Sequence, residues 1–199
     1  MKCKLTFTEP LLGTLAGQKD VAKEFIASKC KAGVQSDEEA VIENMDEAVT
    51  NGSTVFNADE SGVFLWDYQI KGFFKDSMLA LISSGNYTQE ALKKVGLTKY
   101  SYKRTIDQQV FVNPRKVRLV LSGPTFFVER PLRAETMRGE RIALARSEAA
   151  PAGTTCEIEI DSFQTTLAPY IEACLDYGKF RGMGQWRNSG MGRFEYEVL

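Results

Sequence analysis

The sequence predicts an α+β protein built on an antiparallel sheet, and three observations carry that prediction. Alternating polar and apolar residues, first in Lys2-Cys3-Lys4-Leu5-Thr6-Phe7, mark strands with one buried face. Helical segments are mixed among the strands without the regular alternation of a parallel α/β sheet. The chain then finishes as a helix over 166–177, a glycine-rich loop over 182–193 and a last alternating strand over 194–198.

The elements follow in order. Glu9-Pro10 ends the first strand, 11–18 reads as a loop containing Gly13 and Gly17, and 19–28 suits a short helix with Val21, Phe25 and Ile26 inward. Ser36-Asp37-Glu38-Glu39 is a capping box that starts a second helix, which continues through Met45 and Val49 to Asn51-Gly52. Half of its acids (Asp37, Glu38, Glu39, Glu43, Asp46 and Glu47) sit in the first turn, where the helix dipole favours them, so they read as a solvated face rather than a metal cluster. Strands are predicted at 53–56 and 62–66, with a turn at 57–60. A helix over 73–82 follows, inserting Phe73, Phe74, Met78 and Leu79 into the core. Lys71 and Lys75 flank its predicted start, where free backbone amides favour an anion. A capped helix over 88–96, strands at 110–112 and 117–121 and a further candidate at 125–128 come next. The segment 129–153 carries arginines at irregular spacings and few large apolar residues, which suits an exposed arm or hairpin. Thr154 opens an alternating strand to Ile160 with Cys156, Ile158 and Ile160 on one face.

At 199 residues and 22.2 kDa the chain is expected to form one globular unit over 1–199, with the arm inserted around 129–153. A formal net charge of -1 gives no general attraction to nucleic acid, so any basic site must be local. The charges are divided: residues 1–100 hold 11 lysines and no arginine against 14 acids, and residues 101–199 hold 3 lysines and 11 arginines against 12 acids. Four basic residues and no acid lie between Gly178 and Arg193. The planar guanidinium fork suits phosphate, so this concentration points to a phosphate-rich partner as readily as to solvated surface charge. Cys3, Cys30, Cys156 and Cys174 are widely spaced, and with no histidine in the chain they read as buried thiols rather than zinc ligands. No metal or other cofactor is expected. The start of the chain lacks the apolar core of a signal peptide and no apolar run reaches membrane-spanning length, so a cytoplasmic protein with no membrane partner is expected.

Gly182-Met183-Gly184, five further residues, and Gly190-Met191-Gly192-Arg193-Phe194 stand between a helix and the final strand. This resembles the C-terminal glycine-rich loop of the RAMP superfamily, the CRISPR-associated ferredoxin-like proteins that process guide RNA or coat it. Ile70-Lys71-Gly72-Phe73-Phe74-Lys75 is similar to the lysine-glycine helix entry of the family's backbone subunits. Together the two motifs cover about a fifth of the chain.

The resemblance implies a ferredoxin-like (RRM-like) sheet with helices on one face, and an arginine-rich arm that touches RNA or neighbouring subunits. It implies RNA contacts at Lys71, Lys75, Arg133, Arg138, Arg141, Arg181, Gly182, Gly184, Arg187, Ser189, Gly190, Gly192 and Arg193. Expected partners are single-stranded or guide RNA, together with further copies of the chain or other CRISPR-type subunits. Many processing enzymes of the family use a histidine that this chain lacks, which argues for a non-catalytic subunit. Target-cleaving backbone subunits use a loop aspartate, for which Asp20, Asp37 and Asp59 are open candidates. The aromatic stacking motifs of an RNA recognition motif are not evident, leaving base-specific readout without support. Two other classes fit the same residues: an assembly protein of a mobile element, in which the glycine loop is only a tight turn, and an endoribonuclease working through Lys, Tyr or carboxylate groups.

Overall fold

Strand β1 (Lys2–Phe7) lies inside a four-stranded sheet between the two last strands of the chain, β11 (Thr155–Ser162) and β12 (Phe194–Val198). Its register sets Leu5 opposite Cys156 on one side and opposite Tyr196 on the other. With β7 (Val110–Asn113) on the outside of β11, the order is β12-β1-β11-β7 and every neighbouring pair is antiparallel. The computed structural model describes residues 1–16, 53–136 and 139–199, with backbone alone over 132–136 and 139–143. The two helices predicted within 19–51, and Cys30, lie outside the described residues.

The alternation read in the sequence sorts the two faces of this sheet. Cys3, Leu5, Phe7, Cys156, Ile158, Ile160 and Phe194 are buried on the face covered by helix α1 (Asp67–Ser83) and helix α4 (Ala168–Arg181). Helix α1 contributes Ile70, Phe73, Phe74, Met78 and Ile82, a stripe at helical spacing. The opposite face carries Glu157, Glu159, Asp161, Glu195 and Glu197 against Lys2 and Lys4. Burial pushes the Cys156 thiol up to about 12 and raises Cys3 and Cys174 as well, which keeps these three protonated and unreactive.

Two further sheets, of five and three strands, are formed among the described residues. The arm predicted at 129–153 is a hairpin of β9 (Phe126–Thr136) and β10 (Gly139–Ala150), paired from Thr136↔Gly139 to Phe126↔Ala149. The base of β10 is held by β2 (Leu11–Leu12) and β4 (Ser53–Val55), and β4 also pairs with β3 (Leu15–Ala16). The third sheet is β5 (Asn57–Asp59), β6 (Gly62–Trp66) and β8 (Lys116–Arg118).

Several expectations are corrected. Helix α1 begins at Asp67, six residues before the predicted start, because the Gln69 side chain accepts from the Trp66 amide at 2.8 Å and caps the first turn. Leu79 falls off the buried stripe and is 40% exposed. The predicted loop at 11–18 contains β2 and β3, and most of the predicted turn at 57–60 is β5. Helix α3 (Tyr102–Gln109), for which no element was predicted, buries only Tyr102 and Ile106 of its eight residues. The strand predicted over 117–121 is shorter, with Val120 making only an isolated bridge to Thr155. The predicted helix at 88–96 is α2 (Gln89–Lys94), capped by Thr88.

The last helix and last strand are joined through aromatic packing on a glycine. Phe194 meets the rings of Phe7 and Phe73 edge-on at 5.9 and 5.1 Å, and a Cβ on Gly178 would stand 2.3 Å from its ring. Gly178→Ala is therefore expected to lower stability by about 1–3 kcal/mol despite the better helix propensity of alanine. Urea denaturation measures this, and an unchanged midpoint would place the ring elsewhere.

Candidate nucleic-acid interface

The loop between α4 and β12 closes on itself. The Met183 amide donates to the Gly192 carbonyl at 2.9 Å, and the Gly192 amide donates to Pro10 at 2.9 Å. Gly182, Gly184, Gly190 and Gly192 all have positive φ, from 70° to 85°. A Cβ on Gly182 would come within 2.5 Å of the Gly192 backbone, and one on Gly192 within 2.0 Å of the Met183 carbonyl oxygen. Glycine is required there by backbone crossing as well as by dihedral angle.

This geometry reassigns work within the predicted site. The amides of Gly182, Met183, Ser189, Gly190 and Gly192 are bonded inside the protein, so they do not form an anion cradle. The charged groups of the loop are its arginines. Arg181 Nε and Arg187 Nη1 both donate to Asp76 Oδ2 of α1, at 3.0 and 2.9 Å, and Arg181 also donates to Asn188. Arg193 is exposed, with its Nε on the Phe180 carbonyl at 3.0 Å. Ser189 is exposed beside them. Two guanidiniums on one carboxylate oxygen leave a net positive charge at the loop, and Arg193 and Lys179 add to it.

Lys71 and Lys75 are not at a helix start. They lie within α1 and turn to α3: Lys75 pairs with Asp107 at 2.6 Å, and Lys71 reaches the Asp107 carbonyl at 3.3 Å and stands over the Phe111 ring at 5.2 Å. Burial lowers the Lys71 ammonium below its ordinary range, opposed by Asp107 and Asp67. Arg133 and Arg141 lie on the hairpin, in register with Ile142 and Ala134, and Arg138 is outside the described residues.

Sequence reading missed the groups that surround the loop. Arg130 of β9 stacks over Trp186 at 4.9 Å and donates to Gln185 at 3.2 Å, joining the hairpin base to the glycine loop. Beside it an open cleft of about 320 Å³ is lined by Thr14, Asn57, Tyr68, Gln69, Gly184 and Arg187, among others. The aromatic signal was present in Trp66-Asp67-Tyr68. Asp76 had none, because its partners are 105 and 111 residues away. On the third sheet, Arg115 stands over Trp66, Arg118 over Phe64 and Lys116 over both, at 5.0 to 5.6 Å. Of the loop-aspartate candidates, Asp59 lies in β5 with its carboxylate on Arg118 and Lys116, and Asp20 and Asp37 fall outside the described residues.

No protein-family model and no curated protein matches the sequence. Solved structures do match. One is a chain of the cryo-EM structure of the Type III-B Cmr-beta bound to cognate target RNA, at a TM-score of 0.52 and 10% identity over 98% of this chain. The two chains share a fold. This chain spans only 57% of that chain's length. A chain of a Type IV-B CRISPR complex gives a TM-score of 0.46 at 8% identity, covering 100% of this chain and 89% of that one. Cmr6 from Pyrococcus furiosus gives 0.49 at 9% identity, covering 99% and 97%. Among the described residues no helix is long and apolar enough to cross a membrane.

The Asp59 pair makes a pH prediction. Hydrogen bonds from Arg118, chiefly, hold its carboxyl well below the usual range. A carboxyl depressed in the folded state stabilises fully above its unfolded value of about 4, and that contribution fades as pH falls below it. Asp59→Asn should therefore lose less stability than the wild type between pH 6 and pH 2 in chemical denaturation. Equal losses would show that the pair contributes nothing.

Proposed function

We propose that this chain is a non-catalytic, CRISPR-associated RNA-binding subunit of the RAMP type, gripping the phosphate backbone of guide RNA. The observation that carries the proposal is the separation of charge: acids occupy the open face of the sheet, while Arg181, Arg187 and Arg193 gather with Lys179 at the α4–β12 loop. A polyanion is repelled by the first surface and drawn to the second. The sheet order β12-β1-β11-β7, with α1 before β7 and α4 before β12, supports a ferredoxin-like reading of the main sheet within a single domain, the hairpin being its inserted arm. The fold shared with a chain of the Type III-B Cmr-beta bound to cognate target RNA adds to it.

In this reading Arg187, Arg193 and Ser189 meet phosphates and the four glycines shape the loop that presents them. Lys71, Lys75, Arg133, Arg138 and Arg141 are proposed as further contacts along the strand, and other CRISPR-type subunits as partners in a cytoplasmic complex. The contacts are sequence-independent and depend on salt.

A second reading has an observation of its own. Backbone crossing accounts for Gly182 and Gly192 without any ligand, as expected of an assembly protein whose loop is a tight turn. Filter binding of single-stranded RNA at graded salt, with light scattering in parallel, separates the two. Binding at low salt with a linear salt dependence is expected. Arg187→Ala should flatten that slope by about 0.7. Assembly without RNA uptake would establish the second reading and reject the first.

A further inference from the structure

The cleft beside the glycine loop combines features that phosphate contact alone does not need. Tyr68 is 38% exposed, lines the cleft, and lies nearly parallel to the buried Trp66 ring, at 12° and 6.3 Å between centroids. Gly72 gives the α1 side of the cleft no side chain, and a Cβ built there meets nothing within 4 Å. An exposed aromatic ring beside an open helix surface suits a flat ring of similar size.

The polar lining is oriented by fixed bonds. Trp66 Nε1 donates to Asn57 Oδ1 at 3.0 Å. An indole nitrogen can only donate, so the oxygen of Asn57 must face it and the amide NH₂ is left to donate elsewhere. Gln69 is committed at both ends, accepting from the Trp66 amide at 2.8 Å and donating to Thr14 Oγ1 at 2.5 Å, which leaves the Thr14 hydroxyl hydrogen to donate. Arg187, whose Nη1 is held on Asp76, stands at the loop side of the same cleft. The cleft thus offers an aromatic ring, hydrogen-bond donors and a cation at one margin.

We propose that this cleft is a nucleobase subsite: one base of the bound strand stacks on Tyr68, its acceptor groups meet the Asn57 and Thr14 donors, and its phosphate lies at Arg187. The proposal rests on the RNA-binding reading and deepens it. A donor-rich lining favours bases with exposed carbonyls, so uracil is the probe of choice. The same chemistry could receive a free nucleotide, and the experiment separates the sources.

The full chain is titrated with a nine-residue oligouridylate, with an abasic ribose-phosphate chain of equal length, and with uridine monophosphate. Stacking of one base predicts that the wild type binds the uridylate about 5- to 150-fold more tightly than the abasic chain. Tyr68→Ala should erase that preference while leaving abasic binding unchanged. Gly72→Leu should do the same by filling the cleft, and leucine is the better helix former, so the variant is expected to fold. Equal wild-type affinity for the two chains, or a preference that survives both substitutions, overturns the subsite while the backbone grip stands. Failure of both chains to bind at low salt rejects the RNA reading itself. In that event, saturable uridine monophosphate binding abolished by Gly72→Leu would assign the cleft to a free nucleotide, and no such binding would reject it altogether.

Discussion

The structure depends on the crossing of two glycine backbones. Gly182 ends α4 and Gly192 precedes β12; a Cβ on Gly182 would strike the Gly192 backbone, and one on Gly192 the backbone of Met183. This contact lets the chain leave the helix at Arg181, run through twelve residues and enter the sheet beside β1 at Phe194. Phe194 then drops onto Gly178, Phe73 and Phe7, which locks α4 and α1 to the same sheet face. Were the crossing wider, Phe194 would not reach that position and α1 would lose its anchor. The amide of Gly192 on Pro10 extends the same constraint to the end of β1 and so to β2.

What the crossing organises is a division of charge. The alternation that buries Cys156, Ile158 and Ile160 also fixes Glu157, Glu159 and Asp161 on the other side, since a strand cannot present both sets to one face. An aromatic-poor, acidic sheet face is a poor platform for RNA, whatever the topology of the sheet. Positive charge instead collects at the glycine loop and along the third sheet, where cations lie over Phe64 and Trp66. The near-neutral net charge of the whole chain conceals both surfaces.

The parts legible in the sequence were those whose signal is local. Period-two alternation located β1, β11 and β12, and the arginine spacing with few large apolar residues marked the hairpin. The loop was recognised from its glycines, whose spacing could not reveal that the amides of Gly182, Gly190 and Gly192 are satisfied internally. Helix α3 was missed because it is short: Tyr102 and Ile106 share one face at helical spacing, but eight residues give that period only one repeat. The start of α1 at Asp67 is set by the Gln69 side chain capping the amide of Trp66, which is not one of the usual N-cap residues, rather than by an apolar repeat. Asp76 and Asn57 were invisible for a different reason. Each acquires its role from residues brought near only by the fold.

Asp76 shows how such a contact turns a turn into a receptor. One carboxylate oxygen holds both Arg181 and Arg187, so the pair is positioned but only half neutralised. Removing the acid would leave two guanidiniums to repel each other, and a second acid would cancel the charge the loop can offer to a ligand. A single shared carboxylate holds the loop together and leaves one positive charge unspent. A phosphate arriving there completes an arrangement already paid for by folding, so its binding needs little further ordering of side chains. The geometry of Arg187, fixed from α1 on one side and bordering the cleft on the other, is what would couple the grip on the backbone to the seating of a base.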